Sequence, residues 1–133
     1  MPSSLAGLLI VRFGPFSAAG CERNAREQHE QDLADGREPP RFGISVSGDY
    51  IAEDESVDDV VARICATVPL NGKTVATVSA DTLVGLGWTV NVDIPPPLHY
   101  LIGQGDMTTL PDVDSLALVW SQNRTRNPAW TGK

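Results

Sequence analysis

Cysteine is nearly absent from this chain, with Cys21 and Cys65 the only two among 133 residues. Two thiols do not make the disulfide framework on which small secreted domains rely. Cys65 falls on the apolar side of an expected helix, where a buried free thiol is the ordinary outcome. Cys21 borders a charged segment and is expected to be exposed. Histidine is as scarce, with only His29 and His99. A zinc site would need both histidines and both cysteines, and no two of these four have the short spacing of metal-binding pairs. The sequence therefore points to no metal and no cofactor.

Long apolar runs are also missing. The N-terminal run Leu5 to Val11 is too short to span a membrane. It has no basic segment before it and no convincing cleavage site, so a first strand is expected rather than a secretory signal, and with it a cytoplasmic location. Bases are outnumbered, 10 Lys and Arg against 17 Asp and Glu, for a net charge of −7. That balance argues against nucleic acid, which needs clustered cations, and against anionic membrane surfaces. It permits a basic protein partner.

What the chain does have is an ordinary globular composition, 41% apolar and 20% charged, in a length suited to one domain over residues 1–133. Ten prolines and twelve glycines predict long connections between short elements. Glu22 to Pro40 is polar and charged, with Leu33 its only large aliphatic. A helix polar on every side gains little by packing, so about 22–40 is expected to be a charged flexible insertion, a mobile loop or a frayed helix.

Phe42, Ile44 and Val46 alternate with small residues and predict a strand. Ser56 opens a helix, with Asp59 placed for an acidic capping box and Val57, Val60, Val61, Ile64, Cys65 and Val68 at helical spacing. Pro69 stops it and Asn71-Gly72 turns the chain. Lys73 to Val78 reads as a strand, and Ser79 caps a short helix that Gly87 terminates. Strands at Trp88 to Ile94 and His99 to Ile102 follow. Thr108 or Thr109 caps a last helix with Pro111 in its first turn, and an irregular tail begins at about 122.

Strands with one polar face predict an α+β fold: a two-layer sandwich, with a mixed sheet of four to five strands covered on one side by two to three helices.

Few groups stand out for chemistry. Gly72-Lys73-Thr74 resembles the end of a phosphate-binding loop, but the earlier glycine is missing and the order is helix, turn, strand. His99 follows the stiff run Pro95, Pro96, Pro97, and could act as a general acid or base oriented by Asp93 or Asp106. Three polyproline residues extend about 9 Å, which exceeds the ~4.8 Å between strands and excludes a tight hairpin. The connection must bow outward, and a rigid segment loses little entropy on binding. With the acidic stretch at Glu53, Asp54 and Glu55, these prolines form the expected partner-binding surface.

The segments Phe42-Gly-Ile-Ser-Val46, Gly87-Trp88-Thr-Val90, Pro97-Leu-His-Tyr100 and Asn127-Pro128 resemble a group of short actinobacterial proteins without an assigned activity. The resemblance spans roughly residues 42–128 and brings no functional residue with it. A non-enzymatic interaction, regulatory or accessory module is expected. The alternative is a small hydrolase or transferase using His99. A third possibility is an anion held at the helix start by Ser79 and Ala80.

Overall fold

The computed structural model describes residues 6–68, 72–94 and 96–130. Pro69, Asn71 and Pro95 lie outside the described residues. In chain order the elements are β1 (Leu8–Arg12), α1 (Ala18–Ala34), β2 (Ile44–Tyr50), α2 (Val57–Thr67) and β3 (Thr74–Ser79). They continue with α3 (Ala80–Gly85), β4 (Thr89–Val92), β5 (His99–Gly103), α4 (Val113–Gln122) and β6 (Arg124–Arg126). The fold is α+β, with one six-stranded sheet in the order β4-β5-β2-β1-β3-β6.

Every neighbouring pair in the sheet is antiparallel, not mixed as expected. Strands β2 and β3 run in the same direction, but β1 lies between them. The α2 connection must therefore pass over β1, and it does so on the face opposite the other helices. The sheet is consequently covered on both faces, which corrects the two-layer expectation. Leu8 and Ile10 join one core with residues of α1, α3 and α4, while Leu9 and Val11 join a second with Val60, Val61, Ile64 and Cys65 of α2. An uninterrupted apolar run is what a central strand buried on both faces requires.

The two elements beyond the expected number come from the segments expected to be irregular. Ser17 caps α1 by accepting the Gly20 N–H at 3.1 Å, and the helix runs through most of the charged insertion. It packs through small residues, Gly20, Cys21 and Ala25, so polarity elsewhere on its surface is no obstacle. Cys21 is thus buried rather than exposed. Leu33, the one large aliphatic, stays in water, while Asp32 is buried against Arg41. The tail forms β6 on β3, and Asn127 pins it by donating to Gly72 O at 2.9 Å.

Helix α2 starts as the pattern predicts. Ser56 Oγ accepts the Asp59 N–H and Asp59 Oδ2 accepts the Ser56 N–H, at 3.2 and 3.1 Å. Ser56→Ala is expected to cost about 1 kcal/mol, the usual loss for an N-cap hydroxyl, measured by urea unfolding. Helix α4 differs from expectation. Asp112, not Thr108 or Thr109, caps it by accepting the Ser115 N–H, and Pro111 precedes the cap. Thr108 is engaged with Asp106 instead.

Candidate functional site

Strand β1 leaves the sheet at Arg12 and the chain turns through Phe13, Gly14 and Pro15. Gly14 makes the turn at φ +106°, a region open to glycine. Helix α1 follows closely, and a side chain at Gly20 would collide with Pro15. The departure leaves the Ser45 backbone of β2, paired with β5 on its other side, without a strand where β1 would continue. Side chains supply its partners: Asn24 Oδ1 accepts from Ser45 N at 3.0 Å, and Arg12 Nη1 donates to Ser45 O at 2.6 Å.

A cavity of about 340 Å³ opens at this place, and its lining includes Arg12, Arg23, Asn24, Glu27, Ser47 and His99. Arg12 is only 3% exposed. Besides Ser45 O it donates to Asn24 Oδ1 at 2.7 Å and to Pro15 O from Nε and Nη2 at 3.1 and 3.0 Å. All these acceptors are neutral, and burial pulls the guanidinium below the ordinary arginine range.

His99 lies directly across from Ser47 in the β2–β5 register. Its Nδ1 is 2.8 Å from Asp93 O and 3.1 Å from Asp93 Oδ2. Asp93 is in turn 3.9 Å from Arg41, which pairs with Asp32. Of the two carboxylates considered for His99, the fold brings Asp93 to it. Asp106 accepts from the N–H and hydroxyl of Thr108 and lines another cavity with Arg37 and Arg41. Those bonds to Thr108 hold the Asp106 carboxyl below its ordinary range.

The four residues weighed for zinc are dispersed. Cys21 and Cys65 belong to cores on opposite faces of the sheet, and His29 stacks on Phe42 at 4.1 Å. Burial pushes both thiols up, so neither is an activated nucleophile. Among the described residues no three His, Cys, Asp or Glu side chains gather as a metal site. No described helix is long and apolar enough to cross a membrane. Ser79 Oγ accepts from Thr82 N, an ordinary cap on a six-residue helix.

A second feature lies at the β4 edge. Gly48, Asp49, Tyr50, Val92, Ile94, Pro97, Leu98 and Tyr100 line an open, mostly apolar groove of about 690 Å³. Gly48, Tyr50, Tyr100 and Val92 alternate onto the same sheet face as Ile44 and Ile102, so the groove continues the core beyond the helices. Val92 is 63% exposed and Ile94 65%. Leu98 at the groove's rim, which also packs against the α2 core, has a φ of +60° that is costly for a residue with a side chain. Gly48 N donates to Leu98 O at 2.8 Å and holds it there.

The expected partner-binding residues divide. Pro96 and Pro97 are exposed between β4 and β5, and Glu53 and Asp54 are exposed in the turn after β2. Glu55 is occupied, accepting from Arg63 and from Ala52 N at 2.9 Å. Arg63 also holds Asp49 at 3.0 Å.

Compared with protein-family models, curated proteins and solved structures, the chain matches none. Its residues and geometry therefore carry the functional argument alone.

Sequence reasoning missed Arg12, Asn24 and Ser47. One signal was present: Arg12 ends the run Leu-Leu-Ile-Val-Arg, and a charge directly after a strand buried on both faces must find partners.

Proposed function

We propose that this protein is a non-enzymatic interaction module that takes up an extended segment of a basic partner protein along the free edge of β4. The observation that carries this is the exposed apolar groove at that edge. β4 is the outermost strand, and Asp93 N bonds His99 O at 2.9 Å, so by antiparallel alternation Val90 and Val92 direct their backbone groups outward. An added strand would satisfy those groups while its alternate side chains enter the groove. The groove lining contains Asp49 and no base, the exposed Glu53 and Asp54 follow its Tyr50 by three and four residues, and the chain carries a charge of −7, which favours apolar residues flanked by Lys or Arg.

Affinity capture from the native host tests the proposal with three baits: the intact chain, Val92→Lys/Ile94→Lys, and Glu53→Lys/Asp54→Lys. One stoichiometric basic partner is expected on the intact chain, weakened at least about tenfold by the first pair and less by the second. Equal capture by all three baits overturns it. So does sedimentation showing a dimer that the Val92→Lys/Ile94→Lys pair disrupts, because the occupant would then be a second copy.

His99 supports a second reading, a small hydrolase or transferase. Its ring lines a cavity, its Nδ1 is held by Asp93, and Ser47 is its cross-strand neighbour. A base held in place by a third group is one signature of an activated nucleophile. A panel of ester and phosphoester substrates compared with His99→Gln decides it, and equal turnover by both proteins removes it.

A further inference from the structure

The cavity at the end of β1 differs from an ordinary structural arginine site in one respect. A buried cation is normally compensated by a carboxylate, because an unpaired charge away from water costs several kcal/mol. Arg12 has no carboxylate within ion-pair distance among the described residues, and its partners are the carbonyls of Pro15 and Ser45 and the amide of Asn24. Four of its five N–H groups are spent on these contacts, which fix the guanidinium rigidly and leave one N–H on Nη2.

Arg23 brings a second cation to the same lining from the second turn of α1, and it makes no ion pair or hydrogen bond with the described residues. Ser47 adds a hydroxyl, and His99 a ring whose Nδ1 is already committed to Asp93. The one carboxylate in the lining, Glu27, is exposed and also unpaired among the described residues. Two cations, one fully engaged in position and one free to close, are thus set against a single acid.

We propose that this cavity binds a small oxyanion-bearing metabolite, with its carboxylate or phosphate between Arg12 and Arg23 and against Ser47. Arg12 supplies a preorganised positive charge with one spare donor, and Arg23 supplies an unspent fork for bidentate contact. The size fits, since about 340 Å³ lies at the lower end of small-molecule sites. Glu27 opposes a bare multivalent anion and favours a monoanion that also presents an N–H or O–H donor. The site shares no lining residue with the β4 groove, so its failure or success leaves the interaction proposal untouched.

Amide chemical-shift titrations of the intact chain with inorganic phosphate, acetate, glycolate and glycine test the site. Saturable shifts confined to residues around Arg12, Asn24 and Ser47 are expected with at least one probe at up to about 50 mM. Glycolate or glycine is expected to bind more tightly than acetate, because each adds a donor for Glu27. Arg23→Gln, on the exposed side of α1, should leave the fold intact and weaken binding about tenfold. Glu27→Gln should narrow the difference between glycolate and acetate and strengthen phosphate. No saturable response to any probe overturns the proposal, and so does a response that Arg23→Gln leaves unchanged.

Discussion

Asp32→Ala is expected to destabilise the protein by about 3–5 kcal/mol, the usual consequence of removing one member of a buried ion pair. Asp32 is 3% exposed and accepts four hydrogen bonds. Three come from Arg41, through N at 2.9 Å, Nε at 2.8 Å and Nη2 at 3.2 Å. The fourth comes from Gln28 at 2.8 Å. Truncation strands the Arg41 side chain, only 14% exposed, with Asp93 at 3.9 Å as its nearest remaining acid. It also unfastens the end of α1 from the start of β2. Because natural domains are stable by only about 5–15 kcal/mol, the loss should lower the melting temperature by roughly 10–20 °C.

The same residue gives a pH dependence. Burial alone would raise the Asp32 carboxyl, but the hydrogen bonds from Arg41 and Gln28, with the Arg41 charge, outweigh it and hold the group below its ordinary value. A carboxyl depressed on folding stabilises fully above its unfolded pKa of about 3.9 and loses that contribution as pH falls through the folded value. The stability gap between wild type and Asp32→Ala should therefore be widest near neutrality and shrink below about pH 4. Urea unfolding at several pH values measures it, and a gap that stays constant down to about pH 2.5 contradicts this account.

Trp120→Ala is the second large effect, about 3–5 kcal/mol. Trp120 is fully buried on α4 in the larger core, which also contains Cys21 and Ala25 of α1. Those α1 residues are small and cannot expand into the space an indole vacates, so the cavity would persist. Trp120→Phe should cost roughly half as much, since a phenyl ring refills much of the space and the indole N–H has at most the neighbouring Cys21 sulfur, a weak acceptor, to lose. Calorimetric unfolding of the two variants compares them. Equal losses would show that the N–H is worth more than its geometry implies.

Local structure was legible where a local rule was sufficient. The capping box at Ser56 and Asp59, the Ser79 cap and the turn at Gly87 follow from residues within a few positions of each other. The charged segment was misread because its packing surface is made of Gly20, Cys21 and Ala25, which leave almost no hydrophobic periodicity. β6 was missed for a related reason: Arg124 to Arg126 are exposed and pair through backbone on the outermost position of the sheet. In the candidate site, His99 and a choice of carboxylates were visible. Arg12 and Asn24 were not, since their role is to satisfy a β2 backbone exposed by the exit of a different strand.

By itself, then, the sequence determined the type of every element except α1 and β6, the α+β class and the presence of a stiff connection before His99. These depend on caps, period and proline geometry, which act over a few residues. Tertiary structure decided that β1 sits between β2 and β3, and this one placement had three consequences. It sent α2 to the second face of the sheet. It required apolar residues at every position from Leu8 to Val11. It also buried Arg12 at the strand's end among neutral acceptors. Strand order is set by which faces can be buried together across the whole chain, and no window of neighbouring residues contains that information.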